Sequence, residues 1–271
     1  MPLLPNENDD HEENDEHEAD DAYEADQPGC LRDGESARLL LGAGWNRLVV
    51  LGDGKASRRV ERVDGYARAP WYDRVADALR TVNPRLACLS LLAGREQNAA
   101  AVRSRQLPRA LAFGGDLAVV HLAGHDVLAP AFDVNALRTE VVRIVAPLRE
   151  HGCDVVLVAP FDLTRSPAAA RLGEKVLRTR QRAQSDACAN LALRHGALFV
   201  DLAARHPAAA GGRFWGADGV APNARGQALL AAAVVRALGE HLRCSRTAPA
   251  PPADGYLTLP AGCLLQGASP A

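Results

Sequence analysis

Short apolar runs alternate along this chain with longer stretches whose apolar residues recur every three or four positions. The runs lie in Arg47–Leu51, Arg85–Leu92, Leu117–Ala123, Asp154–Pro160 and Ala197–Leu202. Their Val- and Leu-rich makeup, with little polar alternation, predicts strands buried on both faces, as in a parallel sheet. The periodic stretches predict helices over Ala69–Arg80, Glu96–Phe113, Asp133–Glu150, about Ala168–His195 and Ala224–Leu242. Pro108 has to start a new turn in the second helix or kink it. Asp133 and Asn223 stand where N-caps belong, and His151-Gly152 and Gly196 where helices stop. Strands alternating with helices at this spacing imply an α/β fold. Its form is a three-layer, doubly wound sheet of five parallel strands in the order 2-1-3-4-5. In that order the carboxyl ends of the first and third strands flank the topological switch point, where a ligand crevice is expected.

Composition changes this picture mainly at the ends. The chain has 271 residues, 48% of them hydrophobic, enough for one sizeable core or two small ones. Its net charge of −2 conceals an asymmetry, because 12 of the 33 acidic residues fall in positions 6–26, where no Lys or Arg occurs. Such a segment cannot offset its ordering entropy with apolar burial. Residues 1–34 are therefore expected to form a disordered acidic tail, with His11 and His17 part of its solvated surface rather than a cation site. The folded domain is placed at 45–243, and 245–271 reads as a Pro/Ala-rich C-terminal tail. No apolar run approaches ~18 residues, and the N-terminus is acidic where a signal peptide is basic and apolar. The six cysteines show neither CxxC nor metal-ligand spacing, so a cytoplasmic protein with reduced thiols is expected. Arginines scattered over helices do not make a nucleic-acid surface.

The candidate chemistry lies in the loops that follow strands: Gly52-Asp53-Gly54, Gly94-Arg95-Glu96, Gly124-His125-Asp126 and, after the fifth strand, Trp215 to Pro222 with Asp218 inside it. In order and spacing these loops resemble the four blocks of the SGNH/GDSL hydrolases, a flavodoxin-like family of esterases, lipases, thioesterases and carbohydrate deacetylases. The resemblance covers about residues 45–243, and Trp71-Tyr72-Asp73 is similar to a Trp-Ala-Asp-like helix of bacterial members. It implies an SGNH hydrolase fold, no cofactor, no metal, and a small-molecule or acyl ligand as partner.

Carried over one residue at a time, the resemblance implies a paired loss. Gly54 stands where the family has its nucleophilic serine, and glycine has no oxygen with which to form an acyl-enzyme. Ala221 stands where Asp-x-x-His-Pro supplies the histidine base, although Asp218 and Pro222 keep their places. Gly94 fits the oxyanion-donating glycine. His125 takes the asparagine position, from which an imidazole can still donate a hydrogen bond. Ser57 and Lys55 lie too close in sequence to one another and to Gly54 to rebuild a nucleophile and base. His121 reads as a core or interface histidine, and His206 carries no motif. Asp53, His125, Asp126 and Asp218, with Arg95 nearby, are the polar groups expected around the crevice, Asp53 and Asp126 chiefly as bonds to turn backbone. Three functions are compatible with this set. The first is a degenerate member that keeps a pocket for binding or regulation. The second is a non-hydrolytic enzyme using His125 and Asp218 as acid and base, and the third is an esterase with a non-standard catalytic set.

Overall fold

In the computed structural model, residues 24–53, 60–92, 98–206, 214–217, 219 and 221–247 are described. Five parallel strands among them form one sheet: β1 (Arg47–Gly52), β2 (Ala87–Ser90), β3 (Leu117–His121), β4 (Asp154–Ala159) and β5 (Leu198–Asp201). Their order is β2-β1-β3-β4-β5, as the strand–helix alternation predicts. Leu48 to Leu51 and Leu117 to Val120 are fully buried, because helices cover both faces. At about 1.5–3 kcal/mol for each buried Leu or Val, these central strands anchor the fold.

On one face pack α2 (Trp71–Arg80) and the long α9 (Ala224–Thr247), through Val75, Leu79, Leu230, Val234 and Leu238. The other face is covered by α3 (Ala99–Ala101), a π-helical turn (Val102–Gln106), α4 (Leu107–Phe113), α6 (Val134–Glu150) and α7 (Glu174–His195). Pro108 sits in the first turn of α4, where its missing N–H costs nothing, and the π turn immediately precedes it. Asp133 caps α6 by accepting from Asn135 N–H at 2.8 Å, and Asn223 caps α9 by accepting from Gly226 N–H at 3.1 Å.

The differences from the sequence expectation have local causes. Four strands end one or two residues before the apolar runs do, while β1 runs one residue further, to Gly52, and β2 starts at Ala87 rather than Arg85. The helix expected from about Ala168 begins at Glu174, because Gly173 with φ 78° separates it from a 3₁₀ turn at Pro167–Arg171. Three short helices, α1 (Glu35–Leu39), α5 (His125–Leu128) and α8 (Leu202–Arg205), have no periodic signature. The last helix runs past Leu242 to Thr247, with Arg246 donating to Leu41 C=O at 2.6 Å.

The folded body also reaches back beyond residue 45, into the stretch assigned to the acidic tail. Glu24 is ion-paired with Arg74 at only 13% side-chain exposure, and it accepts from Ala67 N–H at 3.0 Å. Arg236 on α9 grips the carbonyls of Gly29 (2.6 Å) and Cys30 (2.7 Å) and the carboxylate of Glu35 (2.8 Å). Arg74 supplies the counter-charge that residues 6–26 lack, and with Arg236 it holds residues 24–34 as a strap across α2 and α9. Cys30, Cys153 and Cys188 are buried free thiols, and burial raises them to about 11, 12 and 12.

Candidate functional site

The register puts Gly52 directly beside His121, so β1 and β3 deliver their turns side by side at the switch point. The approach at this point is close. A Cβ on Gly52 would lie 2.2 Å from the His121 carbonyl oxygen, which only glycine avoids. Gln106, buried at the end of the π turn, fixes the same residue from both sides. Its Oε1 accepts from Gly52 N–H at 2.9 Å, and its Nε2 donates to Gly52 C=O at 2.9 Å.

Asp53 is 1% exposed and bonds across to the turn after β3, accepting from Ala123 N–H with one oxygen and from His125 N–H with the other (3.1 Å). The His125 Nδ1 lies 3.6 Å from Asp53 Oδ2, and its side chain is 19% exposed. Asp126 turns away from this pair and accepts from Ala99 N–H at the start of α3, at 2.9 Å. Burial raises its carboxyl above the ordinary value, offset in part by that same hydrogen bond. The structure thus brings Asp53, His125 and Asp126 together, with Asp53 and Asp126 each spending oxygens on backbone N–H groups. Gly54, Lys55, Ser57, Gly94, Arg95 and Asp218 lie outside the described residues.

The loop that carries Ala221 is tied to the same edge of the sheet. Trp215 bridges Pro222, and Ala221 C=O accepts from Gly216 N–H at 2.8 Å. Gln227 on α9 donates to Pro222 C=O at 3.0 Å and accepts from Trp71 N–H at 2.9 Å. The Trp71 ring then meets His121 edge-on, with centroids 5.5 Å apart. Glu61 adds a second tie by accepting from Ala217 N–H at 2.7 Å, and Ser166, after β4, donates to Gly219 C=O. Sequence reasoning missed Gln106, Glu61, Ser166 and Gln227. None of the four gives a local signal: Gln106, for one, follows Arg103-Ser104-Arg105 in a polar stretch of the helix.

Among the described residues no group of three His, Cys, Asp or Glu side chains is placed to hold a metal ion, and no helix is long and apolar enough to cross a membrane.

A doubly wound parallel sheet in this order, covered by helices on both faces, defines an α/β protein of the flavodoxin-like class. The chain belongs to the GDSL-like lipase/acylhydrolase family, whose model matches residues 51–229 and so spans both Gly52-Asp53-Gly54 and the Trp215–Pro222 loop.

Solved structures share the fold at low identity. The lipase/acylhydrolase from Enterococcus faecalis superposes with a TM-score of 0.58 at 16% identity, covering 72% of this chain and 96% of its own. LAE5, an alpha/beta hydrolase enzyme from the metagenome of Lake Arreo, Spain, gives 0.56 at 18%, covering 74% and 98%. A catalytic mutant of Axe2, an acetylxylan esterase from Geobacillus stearothermophilus, gives 0.58 at 17%, covering 73% and 96%. Catalytic mutants of that esterase at a serine, an aspartate and a histidine are all among the similar structures. No curated protein is similar enough in sequence to count as a relative.

Proposed function

We propose that this protein is a catalytically degenerate member of its family, which holds a small acyl ligand in the switch-point crevice and does not cleave it by a serine mechanism. One observation carries the reading. The two positions at which the family places its nucleophile and base hold Gly54 and Ala221, while the bonds that fix the surrounding turns, Asp53 to Ala123 and His125 above all, remain in place. A hydroxyl without a base is a poor nucleophile, and neither group is present at these positions. An acyl ligand is the class suggested by the esterase and lipase neighbours. Four buried or half-buried free thiols fit a reducing, cytoplasmic setting.

The test is an acyl-ester panel on the purified full chain, with a fluorophosphonate probe alongside. Ligand binding without labelling or turnover is expected. Covalent labelling of a serine, or turnover above a His125→Ala control, overturns the reading.

A second reading is favoured by the His125–Asp53 approach of 3.6 Å, which sets a partly exposed imidazole beside a carboxylate. In it, His125 and Asp218 act as acid and base on a metabolite without acyl-enzyme chemistry. Conversion of a substrate that is abolished by Asp218→Asn would establish it.

A further inference from the structure

We propose that the outer edge of β2 is a dimerisation surface. On it a second copy of this chain pairs its own β2 antiparallel, about a two-fold axis at Leu89, so that the two sheets become one. The proposal is independent of what the crevice binds.

The backbone comes first. β2 is the outermost strand on its side of the sheet and pairs with β1 alone. Ala87 N–H donates to Asn46 C=O at 2.9 Å and Leu91 N–H to Val50 C=O at 2.8 Å, so the odd-numbered residues face β1. Backbone groups alternate in direction along a strand, and Cys88 and Ser90 therefore turn their N–H and C=O groups outward. Among the described residues nothing bonds to those groups, and the whole strand is only half-buried. Proteins usually guard such an edge with Lys, Pro, a bulge or an inward-pointing charge. Ala87-Cys88-Leu89-Ser90 carries no Lys, Pro or charge, and its register against β1 is unbroken.

A second copy is the occupant because the edge complements itself. With Leu89 on the axis, Cys88 lies opposite Ser90 of the second copy, and Ser90 opposite its Cys88. Both pairs then exchange N–H···O=C bonds in each direction. A one-residue slip would aim these groups at others already bonded to β1. The side chains agree with this register. Leu89 packs half-buried on the α4 side of the sheet and meets its own counterpart across the axis. On the opposite face the seam is lined by Cys88 and Ser90, both small enough to let the backbones approach.

Charge follows the same symmetry. Asp73, Asp77 and Arg80 form an exposed row on α2, and all three act on the Cys88 thiol, so the row flanks this edge. α2 is the crossover between β1 and β2 and runs antiparallel to both. The axis thus sets two copies of α2 antiparallel and brings Arg80 of each toward Asp73 of the other. Asp77 is already paired with Arg80 of its own chain at 2.7 Å. A strand edge with one flanking helix makes a small interface, about 1,000 Å², and a reversible dimer with Kd on the order of 10 μM is expected.

The experiment is sedimentation of the full-length protein from about 1 to 200 μM, a range that brackets that Kd, with deuterium exchange followed at both ends. A monomer–dimer equilibrium is expected, and exchange over Ala87–Leu91 should slow at the high concentration. Ser90→Pro removes an outward donor without taking a bond from β1. It should weaken dimerisation at least about tenfold and leave the far-UV spectrum unchanged. Mild oxidation of the Cys88→Ser, Leu89→Cys double variant should link position 89 of one copy to position 89 of the other. A non-hydrogen-bonded antiparallel pair brings such Cα atoms within about 4.5 Å, close enough for a disulfide. A monomer over the whole range overturns the proposal, and so does a dimer with unchanged exchange over Ala87–Leu91 or unaffected by Ser90→Pro. Protection of Ala87–Leu91 in the monomer would mean that another segment of this chain covers the edge, and would overturn it too. The wild-type measurements need no variant to fold.

Discussion

The supporting half of the site and its reacting half are built to different standards. Around Asp53 and Gly52 the backbone polar groups are paired through buried side chains from separate elements, Gln106 on one side and Asp53 on the other. At positions 54 and 221 the side chains are a hydrogen and a methyl group. The first half is needed to hold two strand ends together whatever the crevice does, since an unpaired buried N–H costs stability directly. The second half matters only to a reaction. On the degenerate reading proposed above, the fold keeps its site geometry without the serine chemistry, and geometry alone is poor evidence of turnover.

Mutation can break this contrast from its strong side. Asp53→Ala leaves the N–H groups of Ala123 and His125 unpaired in a buried place, and a loss of about 3–5 kcal/mol is expected in urea unfolding. A loss no larger than that of a surface substitution would mean the support is not where the hydrogen bonds put it. Gln106→Leu strips both polar partners from Gly52 and should cost about 2–3 kcal/mol, read as a lower unfolding midpoint at unchanged m-value.

A third effect depends on pH. His121 is lowered in the fold from 6.5 to about 4, so the unfolded chain binds the proton more tightly between those values. Stability is then full above about pH 6.5 and falls as pH drops toward 4, by on the order of 3 kcal/mol. His206, also lowered by burial, pulls the same way. Asp126, raised by burial, opposes the trend over its own range. In His121→Leu the slope of Tm between pH 6.5 and 4 should flatten, and an unchanged slope would assign the acid sensitivity to other groups.

The smallest stability change is expected from the reacting side. Gly54→Ser combined with Ala221→His should shift unfolding by less than about 1 kcal/mol. The same double variant should raise p-nitrophenyl acetate hydrolysis at least about tenfold over the wild type, because nucleophile and base return together. A folded double variant with no gain would show that the crevice has drifted at further positions.

How much of this was legible in the sequence follows from the same physics. Strands buried on both faces leave continuous apolar runs, so all five and their order could be read, and the glycine-containing turns marked the crevice. Their ends could not, because the apolar run continues past the last paired residues: Leu91 and Leu122 still donate to the neighbouring strands just beyond β2 and β3. Helices of four or five residues such as α5 and α8 are too short to show a period. Among site residues, Asp53, His125 and Asp126 were visible through motif spacing, and the pairing of Asp53 and Asp126 with turn backbone was expected. The clamp by Gln106 joins residues 54 positions apart, and nothing local announces it. His121 reads as a core or interface histidine, since only packing reveals that its Nδ1 has no partner and that glycine lies alongside. Glu24 was misread for the opposite reason, its counter-charge Arg74 being 50 positions away in sequence.

The strap of residues 24–34, with α1 and Leu41 after it, bears on the order of events during synthesis. Its partners on α9 are among the most distant in the chain, with Arg236 some 201 to 207 positions from Glu35, Cys30 and Gly29, and Arg246 205 positions from Leu41. These contacts thus wait for a helix made some two hundred residues later. Contacts of such separation close late, so the strap acts as a final latch that locks only once the whole sheet and its covering helices have been made.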